Sequence, residues 1–362
     1  MYHNIRILSE RHSVRVISFI ENDEERERLT ELQAICESVT AVERVPDFRP
    51  HWFSLKPFLV REFSTPAMYR AVDQAFRTKR VDVIQCEYLQ MAQYRRPGPL
   101  SVLTIHEALS SNAYQAFQTA IAPAERFKYF YRWMSILYYE VAMCNRFDRV
   151  VTMTKEDAGY LRSYAHRASI RHIPIGIDSD HFSHSTGQIQ RRRPVEVLFV
   201  GNFRHAPNVE AADFLLKEIA PHFPDVRFVI AGSYVPDDLP AAANAVFPGY
   251  IADTRELLHP PNTIFIAPLF SGTGQRVKLL EAFAMSCPVI TTGLGAQGFP
   301  ISNGQQAIIA GTPSEFRASL AGLLSSPALR IRLGEEGRKM IVQHFDWETL
   351  GPEFLALVEQ KL

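Results

Sequence analysis

Short runs of β-branched and apolar residues recur along this chain, each followed by a longer amphipathic stretch, and that alternation leaves few folds open. VRVISFI (14–20), VDVIQC (81–86), SVLTIH (101–106), DRVVTMT (148–154) and SIRHIPI (169–175) read as strands, and ERERLTELQAICESV after the first of them reads as a helix. Runs with little apolar/polar alternation suit strands buried on both faces, the situation of parallel strands covered by helices. The same grammar restarts more strongly with VEVLFVG (195–201), VRFVIAG (226–232), NTIFIAP (262–268), CPVITT (287–292) and QAIIAG (306–311). Between the two series lies the polar stretch SDHFSHSTGQIQRRRP, without apolar period, which reads as a linker. At 362 residues the chain exceeds what one core usually serves. The expected architecture is therefore α/β, two Rossmann-like domains in tandem, with residues 1–178 as the first, 179–345 as the second and a helix over 346–362 crossing back. In such sheets ligands collect at the carboxyl ends of the strands, here in a cleft between facing domains.

Composition removes several classes of function. Basic and acidic residues balance at 39 each, so no global field favours a nucleic-acid partner and any charged site must be local. Cys36, Cys86, Cys144 and Cys287 are scattered without metal-ligand spacing, which predicts reduced thiols in a cytoplasmic protein. No run approaches the length of a bilayer span, and no signal peptide opens the chain. Instead MYHNIRILSERH reads as an amphipathic helix that precedes the first strand.

The stretch SGTGQRVKLLEAFAMSCPVITT (271–292) concentrates the chemistry. Gly272 and Gly274 permit positive φ and close backbone approach, so that successive amides can face an anion, and the helix expected from about Gln275 adds its N-terminal amides. Arg276 and Lys278 add formal charge suited to a diphosphate. Glu281 sits three residues after Lys278 in an otherwise apolar helix formed by Val277, Leu279, Leu280, Phe283 and Ala284, where a carboxylate needs a partner. A ribose diol would serve; so would a structural ion pair with Arg276 or Lys278.

Read in order, FVGNFRHAPNVEAADFLLKEIAP, FPGYIADTRELL, IFIAPLFSGTGQRVKLLEAFAMSCPVITTGLGAQGF and RLGEEGRKMIVQHFDWETL resemble the donor-binding half of retaining GT-B glycosyltransferases of group 1. DVIQCEYLQMAQY, VLTIHE, YYEVAMCNRFDRVVTMTKEDAGYL and IPIGIDSDHF resemble the acceptor half. The resemblance implies transfer of a sugar from a nucleotide-diphosphate donor to a saccharide or lipid-linked acceptor, with no cofactor and no metal. It assigns Glu281 to the ribose, Arg276 and Lys278 to the departing diphosphate, and Ser271, Gly272, Thr273 and Gly274 to the loop beneath the phosphates and sugar. It also places the main chain from Gly249 through Ile251 to Asp253 at the nucleobase, and His106 at the donor sugar. Thr273 stands where many members carry the first glutamate of an EX7E pattern, and SGTGQRVKLLEA is closer to a subgroup written GGGTRxKxxEA. Ser286 stands where glycine is usual after the helix. The family's first strand and its glycine-rich loop have no counterpart here. Two readings of that stay open, a start internal to a longer reading frame or a member that keeps nucleotide-sugar binding without catalysis. An epimerase of nucleotide sugars is a third alternative, for which no carboxylate pair is recognisable.

Remaining features are assigned more plainly. DSD (178–180) has the letters of a metal-binding DxD, but no convergent ligands accompany it. The aromatic and basic segments RPHWFSLKPFLVREF (49–63) and ERFKYFYRWMSILYY (125–139) fit either peripheral contact with the inner membrane face or, more commonly, packing on their own domain. QRRRP (190–194) reads as a solvated loop.

Overall fold

The computed structural model describes residues 1–44, 56–183 and 194–360. Most of the linker expected at 179–194, including the basic run, and the first part of the aromatic segment at 49–63 lie outside these. The chain divides into two compact units, Met1–Ile173 with Gly351–Leu362, and Pro174–Leu350.

In the first unit the elements are α1 (Tyr2–Ser9), β1 (Arg15–Ile20), α2 (Asp23–Gln33), β2 (Ser38–Glu43), α3 (Phe58–Glu62), α4 (Pro66–Thr78), β3 (Val83–Glu87), β4 (Leu100–Ile105), α5 (Leu109–Thr119), α6 (Pro123–Cys144), β5 (Arg149–Thr152), α7 (Lys155–Arg162) and β6 (Ile170–His172). β1 and β2 pair in parallel, and β3, β4, β5 and β6 form a parallel sheet in that order. The central strands β4 and β5 are buried almost throughout, as their lack of alternation required.

The expected helix over residues 25–39 is corrected. α2 stops at Gln33, and Ser38–Glu43 is a strand whose Ser38 lies opposite Arg15. Val39, Thr40 and Val42 are β-branched and gain more from pairing with β1 than from extending an exposed helix. α1 forms as expected and buries Ile7, whose side chain lies 3.5 Å from the position a Cβ on Gly351 would take.

The second unit contains β7 (Glu196–Val200), α8 (Ala206–Phe214), β8 (Arg227–Ala231), β9 (Ala245–Gly249), β10 (Thr263–Ala267), α9 (Val277–Ala284), β11 (Val289–Thr291), β12 (Ile308–Ile309), α10 (Pro313–Ser325), α11 (Pro327–His344) and the start of α12 (Trp347–Glu359). Its six strands are all parallel, in the order β12-β11-β10-β7-β8-β9. β9, not expected from the sequence, is an edge strand with only half-buried and exposed residues, and its short apolar run is interrupted by Pro248 and Gly249, residues of a turn rather than a central strand. Leaving β7, the chain builds outward through β8 and β9, and then returns to the opposite side of β7 with β10. The carboxyl ends of β7 and β10 therefore flank a topological switch point. Phe199, Phe228, Phe265 and Phe283 are fully buried in the core beneath it.

Candidate donor-binding site

The switch point is shaped by glycines. A Cβ on Gly232, at φ +143°, would fall 1.7 Å from the carbonyl oxygen of Gly201, and one on Gly201 would fall 2.9 Å from Cγ of Asn208. Only bare backbone lets the ends of β7 and β8 and the start of α8 come this close.

On the other side of the switch, β10 leads into the glycine loop. Gly272 and Gly274 take φ values of 90° and 80°. The guanidinium of Arg276 turns back over the loop and donates from Nη1 to the carbonyl of Thr273 at 2.5 Å and from Nη2 to that of Gly272 at 2.8 Å. With two carbonyls drawn toward Arg276, the loop is braced by the residue that ends it. Ser271 donates its hydroxyl to Glu210 of α8 at 2.6 Å, tying the loop to the neighbouring helix.

The helix after the loop begins at Val277 with Arg276 as its N-cap, not near Gln275. Gln275 is buried, and its side chain accepts from the amide of Ile175 at 2.6 Å and donates to the same residue's carbonyl at 3.4 Å. Satisfying that backbone takes it out of the helix. Val277 is exposed, whereas Leu279, Leu280, Phe283 and Ala284 are buried. No side chain caps the first turn of α9.

Lys278 donates from Nζ to Oδ1 of Asn208 at 2.6 Å, and its Nζ stands 4.5 Å from the centroid of the Phe199 ring. Removal from water, reinforced by the Arg276 charge and only partly offset by Glu281, draws its pKa down to about 7. Glu281 accepts the Thr254 hydroxyl on Oε2 at 2.9 Å. Burial raises its pKa despite that bond. Nζ of Lys278 is bonded to Asn208 and Oε2 of Glu281 to Thr254, so the two charges act on each other as neighbours.

Thr254 belongs to a short turn capped by Asp253, whose carboxylate accepts the Arg255 amide at 3.0 Å and pairs with the Arg255 guanidinium at 2.5 Å. That bond lowers the Asp253 pKa. Arg255 also donates to the carbonyl of His181 at 3.0 Å. Gly249 ends β9 at φ 78° and accepts the Gly232 amide at 2.8 Å, and Ile251 packs on the core.

His106 follows β4 in the first unit. Its Nε2 lies 2.8 Å from Oε2 of Glu87, and its ring stacks on Tyr88 at 4.0 Å between centroids. Tyr88 adopts φ 69°, a conformation unfavourable for a residue with a Cβ. Oε1 of Glu87 accepts from Gln85 at 2.5 Å and from Thr104 at 3.2 Å. In DSD, Asp178 accepts the His181 amide at 2.8 Å and so serves a turn.

The structure thus gathers Ser271, Gly272, Thr273, Gly274, Arg276 and Lys278 at one switch point, with Glu281 one turn along α9 and joined through Thr254 to the Gly249–Asp253 segment. His106 belongs to the other unit. Asn208, Thr254, Phe199 and Glu210 escaped the sequence reading, although all but Thr254 lie in the strand and helix flanking GNFRHAPN, a small-residue turn directly after a buried strand.

Two family models match the chain, Glycosyltransferase Family 4 over residues 1–181 and Glycosyl transferases group 1 over residues 194–326. An uncharacterized 44.6 kDa protein in the cps region of Klebsiella pneumoniae is 23% identical over 297 residues, 77% of this chain and 74% of that one. Among solved structures, sucrose-phosphate synthase from Thermosynechococcus elongatus superposes with a TM-score of 0.70 at 17% identity, covering 96% of this chain and 98% of that one. Anabaena HepE in complex with UDP and glucose gives a TM-score of 0.73 at 15% identity, with 99% and 95% covered. A first-half model spanning half the chain, a second-half model over the glycine loop, and two parallel-sheet units with these neighbours lead to one conclusion: the chain is a GT-B glycosyltransferase of Glycosyltransferase Family 4, with a group 1 domain as its second half.

Proposed function

We propose that this protein transfers a sugar, with retention at the anomeric carbon, from a nucleoside diphosphate donor held by the second unit to a saccharide or lipid-linked acceptor. The observation that carries the reading is the pairing of a braced positive-φ glycine loop with Lys278, a cation kept out of water on an amide oxygen and an aromatic face. A lone buried ammonium is costly, and its natural complement is an anion that enters and leaves. HepE, a structural neighbour, binds UDP, which supports a nucleotide as that anion.

In this mechanism the diphosphate lies against the loop amides and the first turn of α9. Arg276 and Lys278 hold the charge that grows on the leaving diphosphate as the glycosidic bond to it breaks, so their effect is larger in the transition state than in the bound ground state. Glu281 accepts from the ribose hydroxyls. Backbone near Gly249, Ile251 and Asp253 lies along the base. The residues named supply binding, orientation and charge, and no step calls for a cofactor.

Titration calorimetry with a panel of nucleoside diphosphates, together with donor-turnover assays, tests this. Glu281→Ala should weaken the preferred nucleotide about tenfold or more, the loss of a charge-assisted hydrogen bond. Arg276→Ala should lower the transfer rate more than it lowers nucleotide affinity. Equal affinity in the first variant removes the ribose assignment, and binding without turnover by the parent chain leaves a donor-binding protein rather than a transferase.

A further inference from the structure

The start of α9 is held from outside the helix. A helix N-terminus is commonly fixed by a Ser, Thr, Asp or Asn at the N-cap, whose side-chain oxygen takes one of the first free amides. In α9 the N-cap is Arg276, whose guanidinium turns back to the carbonyls of Gly272 and Thr273, and no side chain caps the first turn. The fastening comes from Gln275, one residue earlier and only 8% exposed. Its Oε1 accepts the Ile175 amide at 2.6 Å, and its Nε2 donates to the Ile175 carbonyl at 3.4 Å. The carboxamide fits one way round only, because the Ile175 N–H needs an oxygen and the Ile175 carbonyl needs a donor. An anchor of this kind leaves the first-turn amides of α9 open to an anion, which a capping side chain would not. Holding the loop in place beforehand also removes part of the ordering entropy from binding.

Ile175 belongs to a stretch that is itself well fastened within the second unit, which the chain enters at Pro174 and leaves at Leu350. Ile177 donates its amide to the Phe345 carbonyl at 2.8 Å and accepts the Trp347 amide at 3.2 Å. A Cβ on Gly176 would fall 2.7 Å from Cδ2 of Trp347, so the two strands of chain lie in close contact there. The Ser179 amide donates to Asp346 at 3.0 Å, and Arg338 of α11 donates to the carbonyls of Ser179 and Phe182 at 3.1 and 2.8 Å. Arg255, the residue after the Thr254 that holds Glu281, reaches the His181 carbonyl in the same stretch. Residues 174–182 therefore support both the segment that leads into Arg276 and the segment beside Glu281. Of the two fastenings, that of Gln275 is the buried one, where an unmade hydrogen bond is most costly.

We propose that Gln275 is a positioning residue of the donor site: it fastens the glycine loop and Arg276 to Ile175, so that nucleotide binding at the loop and protection of the Ile175 amide rise and fall together. The inference rests on the donor-site reading above. Calorimetry and hydrogen–deuterium exchange on the full chain test it, with UDP, GDP, ADP and dTDP as probes and the tightest binder carried forward. In the parent chain, saturating nucleotide should slow exchange both across 271–281 and at Ile175, each by about fivefold or more. Gln275→Leu, similar in size and without polar atoms, should weaken the nucleotide about tenfold with circular dichroism unchanged. Nucleotide should then slow exchange across 271–281 and no longer at Ile175. A purely structural glutamine would lower Tm and leave affinity as in the parent, and that result in a folded Gln275→Leu overturns the proposal. The parent measurement needs no variant: protection of the loop without protection of Ile175 overturns it as well, even where Gln275→Leu does not fold. Binding of none of the four nucleotides by the parent removes the donor-site reading itself, and this inference with it.

Discussion

Lys278 shows how one residue's setting decides its chemistry. Read as a letter it is a cation; in the fold it is drawn to a pKa of about 7 by burial and by Arg276. Because the folded value is depressed, the unfolded chain binds more protons between pH 7 and the ordinary lysine range, so stability should rise with pH across that window. Binding works in the opposite direction. An incoming diphosphate favours the ammonium, so the complex takes up a proton, and affinity should fall as pH rises from about 7.5 to 9. Calorimetry in buffers of different ionisation enthalpy should detect that proton, and Lys278→Met should abolish both the uptake and the pH slope. Asn208→Ala removes the one amide oxygen that Nζ contacts at 2.6 Å and should weaken nucleotide binding by about 1 to 2 kcal/mol, read from the same titrations. The sequence supplied the charge and spacing of Arg276, Lys278 and Glu281. It could not supply Asn208 or Thr254, which are 70 and 27 positions away from the side chains they hold.

Elements show where local pattern suffices and where it fails. Strands buried on both faces announce themselves, as β4, β7 and β10 do, because burial on both sides allows no polar alternation. β2 hides because exposure leaves Ser38, Thr40 and Glu43 on it, and β9 because its short run ends in Pro248 and Gly249, which read as a turn. The turn after α9 is set by a neighbour. Ser286 sits at φ 57°, and a Cβ on Gly334 of α11 would meet its carbonyl oxygen at 2.0 Å. Gly334→Ala must push α11 away from α9 and should destabilise the second unit by about 3 kcal/mol in denaturant titrations. Gly232→Ala combines a clash at 1.7 Å with an unfavourable φ of 143° and should cost at least as much. It should also disturb nucleotide binding, since the displaced strand end carries the turn to Asn208.

At the scale of the whole molecule, the chain leaves its first unit and ends in it. Arg149, buried in β5, donates to the carbonyls of Leu357 and Gln360 near the end of α12, and Glu359 pairs with Arg11 at 3.3 Å and with His12 at 3.0 Å. Leu357 is fully buried, so Leu357→Ala should destabilise the first unit by about 3 kcal/mol. Scanning calorimetry should show a lowered transition for that unit, with nucleotide affinity in the second unit preserved. By itself the sequence determined the α/β class, the restart of the strand pattern, and the cluster of glycines, cations and carboxylate at 271–281, because these follow from hydrophobic period and side-chain chemistry over short distances along the chain. Tertiary structure alone decided which hydroxyl holds the Glu281 carboxylate, which amide holds Lys278, how close two strand ends approach, and that an aromatic stripe on α6 stays in solvent. Each of these depends on residues distant in sequence being brought to within hydrogen-bond or van der Waals range, and no local pattern encodes that.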